Sequence, residues 1–172
     1  MNLIMRLALL LLTLLVPLIL IPTAASAFKA RVVWVTDGDT LTVFKDGWSL
    51  EKIRIYGLDC PESDQPYGFT ASMFTLWNFL FREVEITPMD RDRYGRLVAR
   101  LSHEGTSVNE AIIKAGYAWV YDRYCQAGVC ARYRLLEKQA RQAGQGLWEE
   151  NNPIPPWRWR HGERPDSGWR FW

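Results

Sequence analysis

Three short runs of alternating apolar residues, separated by Asp-Gly pairs, constrain the fold of this chain more than any other feature. The runs span residues 28–36, 39–44 and 51–58, and the pairs are Asp37-Gly38 and Asp46-Gly47. An Asp-Gly pair between apolar runs is a strong signal for a tight β-turn. Alternation with a period of two places every second side chain on one face of a sheet. The sequence therefore predicts an antiparallel meander of three strands.

The periodicity then changes to that of a helix and back again. Residues 69–81 have helical spacing, and the side chains predicted to share one face are Phe69, Met73, Leu76, Trp77 and Leu80. Residues 83–89 and 96–105 return to alternation and predict strands four and five, and helices are predicted at 106–116 and 133–144. This order predicts a mainly β chain with helices (α+β), built as a five-stranded OB-type barrel with packed α-helices.

The two ends of the chain differ in composition from its middle. Residues 1–27 combine an arginine, an apolar run and a small-x-small ending, which is typical of a cleaved secretory signal peptide. An uncleaved membrane anchor is the alternative, although Pro17 and Pro22 interrupt a run shorter than the roughly 20 residues of a spanning helix. Residues 28–150 form the predicted domain, and residues 151–172 form a Pro/Trp/Arg-rich tail. We expect an extracytoplasmic (periplasmic or secreted) monomer without stable membrane association after cleavage.

Charge and cysteine content narrow the functional classes. The formal net charge is only +2, so affinity for a polyanion must come from local placement of Arg and Lys. Cys125 and Cys130 bracket a four-residue segment, and in an oxidising compartment they are the expected disulfide, which leaves Cys60 free. Two close cysteines with the isolated His103 and His161 do not have the spacing of zinc ligands.

Four groups of polar residues fall at predicted turns and strand ends. They are Asp37-Gly38-Asp39-Thr40, Arg54, Asp59-Cys60-Pro61-Glu62 and Asp92-Arg93-Tyr94-Gly95-Arg96. Each has a structural explanation on its own: a turn, a solvated acid or a surface salt bridge. The structural explanation is the favoured one for Asp92, and for Asp37 it is as good as the functional one. Two nearby anions repel unless a positive charge lies between them, so the acids together also suit a bound cation.

These groups belong to motifs that follow one another in the same order as in a known family. Over roughly residues 30–150 the chain resembles the staphylococcal nuclease-like (thermonuclease) domains. The motifs that carry the likeness are VTDGDTLTV, IRIYGLDCPE, DRYGRLVARL, VNEAIIKAGYAWVY and a final GLW. Ordered motifs at compatible spacing are far more specific than any one of them. The resemblance implies an OB-type barrel and a calcium-dependent endonuclease that hydrolyses DNA, with RNA as a further expected substrate, to 3′-phosphate ends.

The resemblance assigns catalytic roles to three positions. Arg54 and Arg96 correspond to the guanidiniums that grip the scissile phosphate, and Glu62 corresponds to the acid beside the attacking water. The chemistry agrees, because phosphoryl oxygens gain negative charge in the transition state and the planar Arg fork binds two of them at once. A carboxylate that does not ligate the metal can accept the proton of the water.

The same resemblance implies ligands for Ca²⁺ and contacts to the nucleotide. Asp39 and Asp59 correspond to the metal-binding carboxylates, and the backbone carbonyl of Cys60 corresponds to a further ligand, at a position where the family usually has a small residue such as Thr or Ala. Arg93 and Tyr94 correspond to flanking contacts to the nucleotide. Carboxylate and carbonyl oxygens are the ligands that calcium prefers.

Three other functional classes remain beside this one: a non-catalytic nucleic-acid-binding barrel, a protein-interaction module, and a membrane-tethered scaffold if the N-terminal segment is retained. The alternative function is a non-catalytic nucleic-acid-binding OB-type module, which would be expected to lack one of the three catalytic residues, although all are present.

In the tail, the clusters 157–160 and 169–172 interleave Trp and Arg, which suits base stacking on single strands, a membrane surface, or packing on the barrel. Packing is favoured for Trp157 and Trp159, and none of the three is favoured for the last cluster.

Overall fold

The computed structural model describes residues 26–165, in which strands and helices follow the predicted order. In chain order the elements are β1 (Phe28–Val35), β2 (Thr40–Lys45), β3 (Ser49–Ile55), β4 (Leu58–Asp59), α1 (Gly68–Phe79), β5 (Glu83–Arg91), β6 (Leu97–His103), β7 (Thr106–Ser107), α2 (Val108–Lys114), β8 (Trp119–Val120), α3 (Cys130–Gln142), a 3₁₀ helix (Gly146–Glu149) and α4 (Pro156–Trp159). Nearly all of the predicted signal peptide and the whole 169–172 cluster lie outside the described residues. Within residues 26–165, no helix has the length and apolar character needed to cross a bilayer.

Five of the strands close into a barrel. β1 pairs antiparallel with β2 and β5, β2 pairs with β3, and β5 pairs with β6. β3 then runs parallel to β6, and this pairing closes the sheet. Apolar side chains fill the interior, among them Val32, Leu41, Val43, Ile53, Ile55, Val84, Ile86, Ala99 and Leu101. The predicted five-stranded OB-type barrel with packed helices is confirmed.

The two Asp-Gly pairs form different turns. Asp46 and Gly47 both have positive φ angles, 53° and 72°, which is the conformation of the tight hairpin turn that matches strand twist. Gly38 instead lies in a crowded place: a Cβ atom built there would be 2.8 Å from the Cβ and the Sγ of Cys60. The first turn therefore packs against the loop that follows β4, which brings its acids toward Asp59.

Helix α1 buries a different face from the predicted one. Phe69 and Trp77 are exposed, although both were expected on the shared face. The buried positions are Gly68, Ala71, Thr75 and Phe79. The Thr75 hydroxyl donates to the carbonyl of Gly38 at 2.7 Å. The prediction was wrong because it followed apolar size, whereas the close approach of the turn to the helix requires small side chains.

A short disulfide loop precedes α3 and packs against residues 56 and 57. Cys125 and Cys130 are joined by a disulfide, with their Cα atoms 5.7 Å apart, and Cys60 is a separate buried thiol. Gly57 has a φ of 77°, and a Cβ atom there would lie 2.6 Å from the Cys125 Sγ. The Tyr56 hydroxyl accepts hydrogen bonds from the backbone N–H groups of residues 126 and 127 at 2.9 and 3.0 Å. The loop is therefore fixed beside β4.

Residues 153–165, called here the C-terminal segment, fold back onto the domain. The Trp159 side chain is buried, and its Nε1 donates to the Asp64 carboxylate at 3.1 Å. The Trp157 ring stacks on Tyr121, with centroids 4.9 Å apart and planes 5° from parallel. Both tryptophans pack on the folded domain, as the favoured interpretation of the first cluster predicts.

Candidate active site

Strand ends bring the predicted site residues to one end of the barrel. Asp39 directly precedes β2, Arg54 is the penultimate residue of β3, and Asp59 ends β4. In the β2–β3 ladder Thr40 lies opposite Arg54, so Asp39 is beside the arginine. β6 pairs with β3 on its other side and begins one residue after Arg96. The backbone register alone therefore gathers residues that are up to 57 positions apart.

Two carboxylates are buried at the centre of this end. Asp39 is 2% exposed and Asp59 is 1% exposed. The Asp39 carboxylate accepts the N–H of Cys60 at 2.7 Å and the hydroxyl of Thr40 at 3.1 Å. Arg54 forms an ion pair with Asp39 through Nη1 and donates from Nη2 to Asp59 at 2.6 Å. A buried charge needs such partners, and here a single guanidinium bridges both acids.

The chemistry of this pair fits a hard divalent cation. Both acids supply carboxylate oxygens, which are the ligands that such a cation prefers, and the positive group that both acids contact in the structure is the Arg54 guanidinium. Within residues 26–165 there is no group of three or more His, Cys, Asp or Glu residues arranged to hold a metal ion. The side chains thus supply two acidic ligands, and the remaining protein ligand expected from the sequence is the backbone carbonyl of Cys60.

The Cys60 side chain is a packing group. Cys60 is 4% exposed, and its side chain lies against the turn at Gly38. Burial raises the pKa of the Cys60 thiol well above its ordinary value, an effect that the nearby Arg54 only partly offsets. A protonated buried thiol is a poor nucleophile and a poor metal ligand. Only the backbone of Cys60 is therefore available for the predicted ligand role.

Asp37 supports the turn. Its Oδ1 accepts the backbone N–H of Asp39 at 3.0 Å, a local hydrogen bond typical of an aspartate turn. Burial raises the pKa of Asp37, with the positive charge of Arg54 acting in the opposite direction. The structure thus gives Asp37 a defined role in orienting the Asp39 backbone.

Glu62 lies on the loop between β4 and α1, and its side chain is 35% exposed. Its backbone is held tightly: the N–H donates to the Gln65 side chain at 3.1 Å, and its carbonyl accepts the N–H of Gln65 at 2.9 Å. A Cβ atom at Gly68 would lie 1.8 Å from the Glu62 carbonyl oxygen, so only glycine fits there. The loop therefore fixes the Glu62 backbone next to the buried acids while leaving its carboxylate accessible.

The β5–β6 hairpin places Arg96 at the edge of the site. Arg96 donates from Nε to Asp92 at 2.7 Å, and its Nη1 lies 3.5 Å from the Thr40 hydroxyl. Burial alone would raise the pKa of Asp92, but hydrogen bonds from Arg96 outweigh it and hold that pKa below its ordinary value. Arg93 and Tyr94 pair with each other at 2.6 Å on the exposed hairpin. Asp92 is thus the hairpin anchor that the structural interpretation predicts.

The structure adds Arg160 to this site, a residue that the sequence reasoning missed. Its Nη2 donates to Asp59 Oδ2 at 2.7 Å, its Nη1 lies 3.3 Å from Asp59 Oδ1, and Nη1 also forms an ion pair with Glu62. These partners are 101 and 98 positions away in the chain. The only signal in the sequence was the Trp-Arg repeat, which predicts contact with a polyanion or an apolar surface but names no acid.

Comparison with known proteins places this arrangement in a family. The family model described as Staphylococcal nuclease homologue matches residues 52–150. An uncharacterized endonuclease of Escherichia coli is 36% identical over 151 residues, which cover 85% of this chain and 96% of the relative. A micrococcal nuclease of Shigella flexneri is 35% identical over 159 residues, covering 87% of this chain and 90% of that protein. The staphylococcal-like nuclease CAN1 of Arabidopsis thaliana is 37% identical over 113 residues, covering 66% and 34% respectively.

Proposed function

Because this chain belongs to the staphylococcal nuclease homologue family, we propose that it is a calcium-dependent nuclease that hydrolyses phosphodiester bonds of DNA and RNA and leaves 3′-phosphate ends. One observation carries the proposal. The end of the barrel combines two buried acids bridged by Arg54 with an accessible acid, Glu62, and a second inward arginine, Arg96. Nuclease names among the relatives support the same reaction class.

Asp39 and Asp59 would hold the calcium ion, together with the carbonyl of Cys60. Bound there, the ion would supply Lewis-acid polarisation of the phosphate and a template for the water. The buried pair is suited to this because both carboxylates are already desolvated and oriented. Cys60 and Thr40 donate hydrogen bonds to Asp39, and Arg54 donates to Asp59. These side chains therefore have little conformational freedom left to lose when the ion binds.

Arg54 and Arg96 would stabilise the charge that develops on the phosphoryl oxygens. Both side chains are largely buried, 18% and 26% exposed, and hydrogen bonds to an anion are stronger in such an environment than in water. Each guanidinium has five N–H donors in a planar fork, so it can contact a phosphate as well as its present partner. The anchoring of Arg96 to Asp92 fixes the direction of that fork.

Glu62 would accept the proton of the attacking water. Asp39 and Asp59 are almost completely buried, whereas the Glu62 side chain, although it pairs with Arg160, is 35% exposed. A general base needs this access, because it must come within hydrogen-bond reach of a water molecule. Arg93 and Tyr94, on the exposed hairpin, would contact the flanking nucleotide.

We also propose that the protein acts outside the cytoplasm as a monomer, without stable membrane association. The composition of residues 1–27 supports export. The disulfide between Cys125 and Cys130 supports an oxidising compartment.

The test is an incubation of residues 28–172 with single-stranded DNA, duplex DNA and RNA, with calcium or with a calcium chelator. We expect cleavage with calcium and no cleavage with the chelator. The products should resist labelling at their 3′ ends until a phosphatase removes the 3′-phosphate. The absence of chelator-sensitive cleavage of all three substrates would overturn the proposal.

A further inference from the structure

Arg160 follows α4 and reaches the two acids on which the proposed chemistry depends. Its fork contacts both oxygens of Asp59, at 2.7 and 3.3 Å, and the Glu62 carboxylate. Asp59 is almost completely buried, so this is unlike a surface ion pair, in which both partners are solvated and the contact contributes little. A fork that binds a buried carboxylate fixes geometry as well as charge.

The C-terminal segment is held in place by contacts that do not involve Arg160. Trp159 is buried and donates to Asp64. The Gln65 side chain, 7% exposed, donates to the carbonyl of Ile154 at 2.5 Å and accepts the backbone N–H of Glu62 at 3.1 Å. One side chain therefore ties the segment to the loop that bears Glu62. These contacts consequently position the backbone of Arg160 near the site independently of its side chain.

The Glu62 carboxylate depends on this arginine for its placement. In the part of the chain that the structure describes, its only ion pair and side-chain hydrogen bond are those with Arg160. The loop fixes the backbone of Glu62, but a half-exposed glutamate with free rotamers would spend much of its time directed to solvent. The guanidinium, bound on its other side to rigid Asp59, removes that freedom.

We propose that Arg160 is a positioning residue of this nuclease site, supplied by the C-terminal segment, which holds the Glu62 carboxylate beside Asp59 and competes with the divalent cation for Asp59. The proposal rests on the proposed function, in which Glu62 is the base and Asp59 a calcium ligand. Loss of Arg160 should therefore change turnover and calcium affinity in opposite directions. Turnover falls because the Glu62 carboxylate is no longer held in place. Calcium affinity rises because the positive charge beside Asp59 is gone.

The test compares Arg160→Ala with the matched control Arg158→Ala. Arg158 lies two residues earlier, within α4, and pairs with Glu163 instead of the site. Calcium affinity is measured by titration calorimetry without nucleic acid, and kcat and KM are measured on a short oligonucleotide at saturating calcium. We expect Arg160→Ala to bind calcium about tenfold more tightly and to lose about tenfold in kcat with little change in KM. Arg158→Ala should match the wild type in all three quantities.

A purely structural contact would not produce this pair of changes. Weaker or unchanged calcium binding in Arg160→Ala would overturn the competition, and an unchanged or raised kcat would overturn the positioning role. Arg160→Lys, which keeps the charge but not the fork, should retain near-normal calcium affinity while losing part of the turnover. It keeps the proposal testable if the alanine variant has a lowered unfolding midpoint.

A double-mutant cycle separates this proposal from the proposed function. If Arg160 acts through Glu62, Arg160→Ala should lower kcat much less in a Glu62→Gln background than in the wild type, because the group it positions is already lost. Equal losses in both backgrounds would overturn the proposal. If Glu62→Gln alone kept wild-type turnover, the base assignment would fail instead, while the calcium titrations would still report on the contact between Arg160 and Asp59.

Discussion

The candidate site has two halves that are built in different ways. The inner half consists of Asp39, Arg54 and Asp59, which are largely buried. The β2–β3 register places Asp39 beside Arg54, and Asp59 ends β4, which pairs with β8. The outer half consists of Glu62 and Arg160, which lie on a loop and after a four-residue helix and are far more exposed. Side-chain contacts, rather than a ladder of backbone hydrogen bonds, position them.

This difference predicts how each half responds to change. The inner half cannot rearrange without disturbing the barrel, so substitutions there should alter charge and ligation with the geometry kept. The outer half is held by a few contacts to the C-terminal segment, so it can be loosened without unfolding the domain. The inner half therefore suits binding of a cation, and the outer half suits a group that must meet a water molecule.

The largest effect within the inner half is expected for Arg54→Lys. Lysine keeps the positive charge but loses the fork that bridges two acids and would grip a phosphate. We expect turnover to fall about 10²–10³-fold, with a smaller change in KM, in a steady-state assay on a short oligonucleotide. Arg96→Lys should act in the same direction.

A salt titration of the same two lysine variants distinguishes stabilisation of the transition state from simple attraction of the polyanion. If the arginines only attract the polyanion, lysine should substitute well and the remaining loss should vanish at low ionic strength. Near-normal turnover in both lysine variants would therefore remove the transition-state role from Arg54 and Arg96.

Asp39→Ala should give a smaller and recoverable loss. One acidic ligand and the Cys60 carbonyl remain, so the calcium concentration for half-maximal activity should rise about tenfold or more, with partial recovery at high calcium. Asp37→Asn is the matched control, because the asparagine oxygen can still accept the N–H of Asp39. Its calcium requirement should stay within about threefold of the wild type. Equal shifts in the two variants would mean that charge in the turn, and not ligation, sets the calcium requirement.

The smallest effect on catalysis is expected at the disulfide, which lies outside both halves. Cys125→Ala with Cys130→Ala should lower the free energy of unfolding by about 2 kcal/mol, since the closed loop is short. Denaturant titration measures this loss, and kcat below the unfolding transition should be unchanged. A large loss of turnover in the folded variant would show that the loop beside Gly57 also positions Asp59.

The inner half could be predicted from the sequence and the outer half only in part. Alternation and Asp-Gly turns are local signals that predict the barrel. The resemblance assigns Arg54 and Asp59, which are five residues apart, through a single short motif. The buried face of α1 was mispredicted because Ala71 and Thr75 carry no hydrophobic signal. The only local signal at Arg160 is the Trp-Arg repeat, which does not predict an acidic partner. Its contact with Asp59 spans 101 positions and depends on how Trp159 and Gln65 dock the C-terminal segment.

The central claim is that the inner half binds the cation while Glu62, in the outer half, moves the proton. The most direct test is the cleavage rate of Glu62→Gln measured across a calcium titration beside the wild type. The glutamine keeps size and hydrogen bonding but removes the base, so we expect turnover to fall about 10²–10⁴-fold at every calcium concentration, with substrate binding little changed. Near-wild-type turnover, or recovery of activity as calcium rises, would contradict the account.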